Sequence, residues 1–140
     1  VGNPDMVNAL MRVKSNIDSG LSQANQEMGI AALGLPQDWL NNNNEVYRKR
    51  RDRVVSVLNE IGVPTAAPKG ALYIWTPIPE GYTSAEFAQK LLDEVDVVVT
   101  PGNGYGPGGE GYIRLSLTIP DDQIDEGLRR LSRFSIASQS

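Results

Sequence analysis

A single arginine, Arg114, sits in the middle of an alternating apolar stretch, Tyr112-Ile113-Arg114-Leu115-Ser116-Leu117. Period two places Tyr112, Arg114 and Ser116 on one face of a strand and Ile113, Leu115 and Leu117 on the other. A guanidinium among apolar neighbours needs an anionic partner. That partner is either a structural Asp or Glu or a ligand carboxylate or phosphate gripped by two parallel hydrogen bonds, and periodicity does not separate the two. The segment just before it holds six glycines between Gly102 and Gly111. Ordering glycine costs more backbone entropy than ordering any other residue, so such a run is either a flexible hairpin connection or a loop whose backbone must take unusual angles or approach something closely. Gly104, Gly106 and Gly109 fit the pattern G-x-G-x-x-G, but a dinucleotide fingerprint opens a helix, and here a strand follows.

Other reactive groups are scarce. The chain has no His and no Cys, so imidazole acid–base chemistry, thiolate nucleophiles and the usual zinc sites are ruled out and no metal site is expected. The basic run Arg48-Lys49-Arg50-Arg51 with Arg53 wraps around a helix axis. With a net charge of −4 and no interleaved aromatics it reads as a solvated helix face, and no nucleic-acid partner is expected. Tyr73 and Trp75 read as core residues of a half-buried strand, and the polar run Asn41 to Asn44 as a helix entrance or kink.

The 140 residues suffice for one domain, or one small domain with a piece of another, and 40% hydrophobic with 21% charged residues is the balance of an ordinary globular protein. No apolar run approaches the ~20 residues that cross a bilayer, so no membrane partner is expected. The lack of Cys fits a reducing, cytoplasmic setting. The first residue is Val, and the chain reads as one that begins inside a longer protein.

The elements that must position Arg114 follow from periodicity and caps. Asn3 and Pro4 open a helix to Lys14 with Met6, Val7, Leu10 and Met11 inward. A second helix, from about Leu21 to Leu33, carries the small residues Ala24, Gly29, Ala31 and Ala32 against a close neighbour and ends at Gly34 and Pro36. The longest runs from Gln37 to Ile61, with Val46, Arg50, Val54, Leu58 and Ile61 on one stripe and Gly62 and Pro64 stopping it. Ala71 to Trp75 reads as a strand ended by Pro77 and Pro79; Thr83-Ser84-Ala85-Glu86 is a capping box for a helix to Glu94 that buries Phe87, Leu91 and Val95. Val97 to Val99 reads as a short buried strand with Tyr112 to Thr118 as its antiparallel partner. Pro120-Asp121-Asp122 starts a last helix with Ile124, Leu128, Leu131 and Phe134 on one face, followed by a frayed tail. The expected fold is α/β (α+β): a small antiparallel or mixed sheet of three to four strands packed by helices and preceded by long helices.

PKGALYIW at Pro68 to Trp75, VVVTPGNGYGPGGEGYIRLSL at Val97 to Leu117 and the final amphipathic helix together resemble the C-terminal part of class I/II aminotransferases, the fold-type I enzymes that use pyridoxal phosphate. VGNP at the start and RVKSNIDSG at Arg12 to Gly20 extend the resemblance, closest to the LL-diaminopimelate and aspartate-type branches. It implies that residues 1–35 are the tail of the large cofactor domain and 36–140 the crossing helix and small C-terminal domain. It further implies an enzyme moving an amino group between an amino acid and a 2-oxo acid through pyridoxal 5′-phosphate, in a homodimer. By the same resemblance Arg114 binds the substrate α-carboxylate, and Asn16 reaches the active site of the partner subunit. The family's Schiff-base lysine should lie just upstream of Val1. None of Lys14, Lys49, Lys69 and Lys90 stands in its motif, so no residue here is assigned a catalytic role, no cofactor-binding residue is named and the isolated chain should be inactive. A stand-alone anion-binding module built on Arg114 and a structural interaction module are the alternatives.

Overall fold

The computed structural model describes residues 2–136, so Val1 and the last four residues of the expected tail lie outside it. The chain divides into two compact units, Val1–Leu40 and Asn41–Ser140, with the boundary inside one helix.

The first unit is helical. Helix α1, Pro4–Lys14, starts where the Asn3 side chain accepts from the N–H groups of Asp5 and Met6, and α2, Gln23–Leu33, is capped by the Ser22 hydroxyl and closed at Gly34. Caps satisfy first-turn N–H groups that have no partner within the helix. The expected burial differs: Met6, Leu10 and Met11 are exposed, Val7 is only half-buried, and neither helix has a buried residue. A Cβ on Gly29 would meet nothing within 4 Å, and Ala24, Ala31 and Ala32 are exposed. An apolar stripe identifies the face that wants cover; it does not say that the cover is in the same chain.

In the second unit, helix α3 (Gln37–Glu60) buries Val54 and Leu58. Gly62, at φ +85°, ends it by letting the Val63 N–H reach back to the Leu58 carbonyl at 2.8 Å, a left-handed turn that glycine adopts without steric cost. Three strands form an antiparallel sheet in the order β1 (Tyr73–Pro77), β3 (Tyr112–Ser116), β2 (Thr100–Pro101). The central strand β3 thus carries Arg114, opposite Trp75 on one side and Thr100 on the other.

Two strand boundaries differ from expectation for local reasons. Ala71 takes φ 72°, a left-handed angle that does not continue an extended run, so β1 begins at Tyr73. It then includes Pro77, opposite Tyr112 on a sheet-edge strand where a missing N–H removes no ladder bond from the interior. Val97 to Val99 is not a strand. Asp96 leaves the preceding helix in the left-handed region, Val98 is 80% exposed, and pairing starts only at Thr100.

Helix α4 (Ser84–Val95) carries the full capping box at Thr83 and Glu86 and buries Phe87, Leu91 and Val95 as expected. Helix α5 (Asp121–Leu131) buries Ile124 and Leu131, leaves Leu128 half-buried, and Phe134 just beyond it is buried edge-on to Phe87 at 5.8 Å. Ile136 also packs on this core, so order extends past Phe134. These side chains, with Val54, Leu58, Ile74, Ile113 and Leu117, form one apolar cluster on one face of the sheet. Two buried hydroxyls within it, Thr65 and Thr76, share a 2.7 Å hydrogen bond, and Asn59 grips the Thr65 backbone through both its N–H and its C=O.

The basic run of α3 does more than face solvent. Arg50 is largely buried, pairs with Asp121 at 2.7 Å and donates to the Leu117 carbonyl at 2.9 Å; Arg51 donates to the Pro68 carbonyl, and Arg53 pairs with Asp125. Long arginine stems can join an inward stripe while their heads reach fixed acceptors, which is how Arg50 shares a face with Val54 and Leu58. Among the described residues no helix is long and apolar enough to cross a membrane.

Phe87 is fully buried at the meeting point of α4 and the post-α5 segment. Phe87→Ala is expected to lower the unfolding free energy of the second unit by about 3–5 kcal/mol, read as a shifted urea midpoint, because the cavity it leaves is only partly filled by relaxation.

Candidate functional site

The side of the sheet away from the core is open and carries Tyr73, Trp75, Tyr112 and Arg114. Strand alternation puts them there, since Ile74, Thr76 and Ile113 point into the core. Tyr73 and Trp75 are 40% and 41% exposed, so they are not core residues as their β-propensity suggests. Trp75 stacks on Tyr112 with ring centres 5.5 Å apart, and Tyr105, from the glycine-rich segment, stands edge-on to Trp75 at 5.7 Å. The Arg114 Cζ lies 4.2 Å from the Tyr73 ring centre and 4.9 Å from that of Tyr105. Aromatic faces attract a guanidinium through their quadrupole without using its hydrogen-bond donors.

No hydrogen bond of these donors is found among the described residues. The Arg114 Nε is inaccessible to solvent and has no hydrogen-bond partner, the one such side-chain atom found among the described residues. Leaving a buried donor unmatched costs about 1–3 kcal/mol, so an orphaned guanidinium N–H marks a place where an acceptor from outside this chain would be favoured. The structural-carboxylate alternative for Arg114 finds no support among the described residues, where every recorded ion pair involves other groups.

The glycine-rich segment is ordered as two short 3-10 turns, Gly102–Tyr105 and Pro107–Gly109, folded back on each other. A Cβ on Gly102 would overlap the Gly109 carbonyl oxygen and come within 2.7 Å of that of Tyr112; one on Gly109 would overlap the Gly102 carbonyl. Gly106 at φ +102° and Gly111 at φ +83° are required by backbone angle instead. Glu110 locks the fold-back. Its carboxylate accepts from the Ser84 N–H at 2.7 Å, the Ser84 hydroxyl at 2.9 Å and the Gly111 N–H at 3.0 Å, while the buried Ser84 oxygen accepts from the Asn103 N–H at 3.3 Å. These bonds, led by the Ser84 N–H, hold the Glu110 carboxyl below its ordinary value near 4.5. Neither Glu110 nor Ser84 stands out in the sequence, because Ser84 reads there only as part of a cap.

Asn16 lies in the first unit, in the turn after α1. It is exposed, and its Nδ2 donates to the Arg12 carbonyl at 2.7 Å. Arg114 belongs to the second unit.

The family model for aminotransferases of class I and II matches residues 1–131. The chain belongs to that family. The LL-diaminopimelate aminotransferase of Dehalococcoides mccartyi (strain ATCC BAA-2266 / KCTC 15142 / 195) is 59% identical over 134 residues, 96% of this chain and 34% of that protein. That of Moorella thermoacetica is 49% identical over 94% of this chain and 34% of its own length. Among solved structures, an aminotransferase from Staphylococcus aureus superposes with a TM-score of 0.83 at 36% identity, covering 95% of this chain and 35% of that one. A probable N-succinyldiaminopimelate aminotransferase from Thermus thermophilus gives 0.83 at 30%, covering 95% and 36%. This aminotransferase chain spans about a third of the length of these relatives.

Membership implies pyridoxal 5′-phosphate in the parent enzyme. The lysines of this aminotransferase chain do not fit its covalent attachment, since an amine activated for that role is desolvated or set beside another cation, and none of the four is buried. Lys14 pairs with Asp18 at 2.6 Å, Lys49 lies 3.8 Å from Glu45, and Lys69 is exposed. Lys90 pairs with Glu94, whose hydrogen bond pushes the ammonium further toward its charged form.

Two outcomes test the loop. Gly102→Ala is expected to destabilise the second unit by about 1–3 kcal/mol in urea unfolding, since backbone, not a flexible side chain, blocks the added methyl. Glu110 binds its proton more weakly folded than unfolded, so its stabilisation is complete above about pH 4.5 and lost as the pH falls through its lower folded value. Glu110→Gln should therefore flatten the decline of the urea midpoint as the pH falls below the carboxyl's ordinary value near 4.5.

Proposed function

We propose that this chain is the C-terminal third of an aminotransferase that exchanges an amino group between an amino acid and a 2-oxo acid, with LL-diaminopimelate, named in its relatives, as the amino-acid substrate. Pyridoxal phosphate, held by the rest of the enzyme, acts as the electron sink for that exchange. Residues 1–35 form the tail of the cofactor domain and 36–140 the crossing helix and small domain. The exposed apolar residues of α1 and α2 support this division, because they leave the first unit without a core of its own. The enzyme works as a cytoplasmic homodimer in which Asn16 contributes to the active site of the partner subunit.

The observation that carries the reading is the unmatched, solvent-shielded Nε of Arg114 beside the Tyr73 and Tyr105 rings, on the sheet face away from the core. Arg114 binds the substrate α-carboxylate there through parallel N–H donors, which fixes the orientation of the amino group that reacts. A lysine at the same place keeps the charge and loses the fork.

Arg114→Lys in the full-length enzyme is expected to raise KM for the amino acid by about tenfold or more, the equivalent of one lost hydrogen bond to a charged group. An unchanged KM in steady-state assays would remove Arg114 from the substrate site. The 140-residue chain mixed with pyridoxal phosphate is expected to show no turnover; a stable adduct band together with turnover would show that the chain needs no other part of the enzyme.

A further inference from the structure

The glycine-rich segment touches Arg114 through one side chain. Tyr105 lies over the guanidinium at 4.9 Å and edge-on to Trp75 at 5.7 Å, and both its chain neighbours, Gly104 and Gly106, carry no side chain. Three backbone bonds close the two 3-10 turns, from the N–H groups of Gly106, Gly109 and Glu110, but none of them anchors the turns to the rest of the unit. The fixing comes from outside the turns: the Glu110 carboxylate and the buried Ser84 hydroxyl tie Gly111 at one end and Asn103 at the other to the first turn of α4.

We propose that Glu110 and Tyr105 are positioning residues for Arg114: the Glu110–Ser84 clamp holds the loop so that the Tyr105 ring covers the guanidinium and leaves it a single approach for a carboxylate. The inference rests on the carboxylate-binding reading of Arg114. With the ring in place the guanidinium is held in one rotamer and shielded from water on the covered side, so less order is lost when the anion arrives. Without the clamp the loop keeps its glycines but the ring samples other positions, and the guanidinium moves with it.

The test uses the full-length enzyme carrying this chain, labelled with 15N-arginine. The Arg114 Nε–H resonance, assigned by its loss in Arg114→Lys, is expected to be displaced by the neighbouring ring currents and to move toward the random-coil position in both Tyr105→Leu and Glu110→Gln. Tyr105→Phe, which keeps the ring, should restore it. In the same enzymes KM for the amino acid should rise about three- to tenfold in Tyr105→Leu and Glu110→Gln with kcat within about twofold, the range a cation–π contact supplies. An Nε–H resonance unmoved by Glu110→Gln or by Tyr105→Leu overturns the proposal, as does a fall in kcat with KM unchanged. If Arg114→Lys leaves KM unaltered, the carboxylate reading fails instead, and the resonance alone decides whether the loop positions the guanidinium.

Discussion

A guanidinium at the centre of a three-stranded sheet decides how everything else can pack. Arg114 sits on the middle strand, between Trp75 and Thr100, so covering that face with helices would bury a charge with no carboxylate beside it. The helices collect on the opposite face. There Ile74, Ile113 and Leu117 meet Val54, Leu58, Phe87 and Phe134, and the sheet becomes one-sided. The face that carries Arg114 is dressed with aromatic rings, which tolerate partial exposure and lie against a cation without taking up its N–H groups.

The second constraint is backbone on backbone. Gly102 and Gly109 approach so closely that neither could carry a Cβ, and this contact folds two 3-10 turns into a compact bracket beside the sheet. Glu110 then directs its charge at three N–H and O–H donors, two of them at the head of α4, making the bracket continuous with the helical layer. The loop is thus ordered by few atoms. Its rigidity comes from the start of a helix whose own first-turn N–H groups need acceptors.

Much of this is readable from the chain. Helix limits agree within a residue or two wherever a cap or a glycine stop is present, as at Asn3, Thr83 and Gly62, because those signals are local. The two faces of β3 are legible from period two. Other features are not. A left-handed Ala71 is not announced by its residue type, so β1 starts later than its composition suggests. Tyr73 and Trp75 have the same β-propensity in a core as on an open face, and only the pairing that sets Trp75 opposite Arg114 distinguishes the two. Glu110 and Ser84 are 26 residues apart, and a hydrogen bond over that separation leaves no periodic trace. The stripe of α1 is real but not buried, since amphipathicity reports a demand for cover and says nothing about its source.

The bracket also divides its glycines into three kinds. Gly102 and Gly109 are held by contact and Gly106 and Gly111 by backbone angle, whereas Gly104 and Gly108 have open space where a Cβ would go and no left-handed backbone angle. Their conformation is available to any residue, so sterics do not oblige them to be glycine. These two positions stand in the bracket that carries Tyr105, so side chains can be tried there without dismantling the scaffold that makes the loop possible.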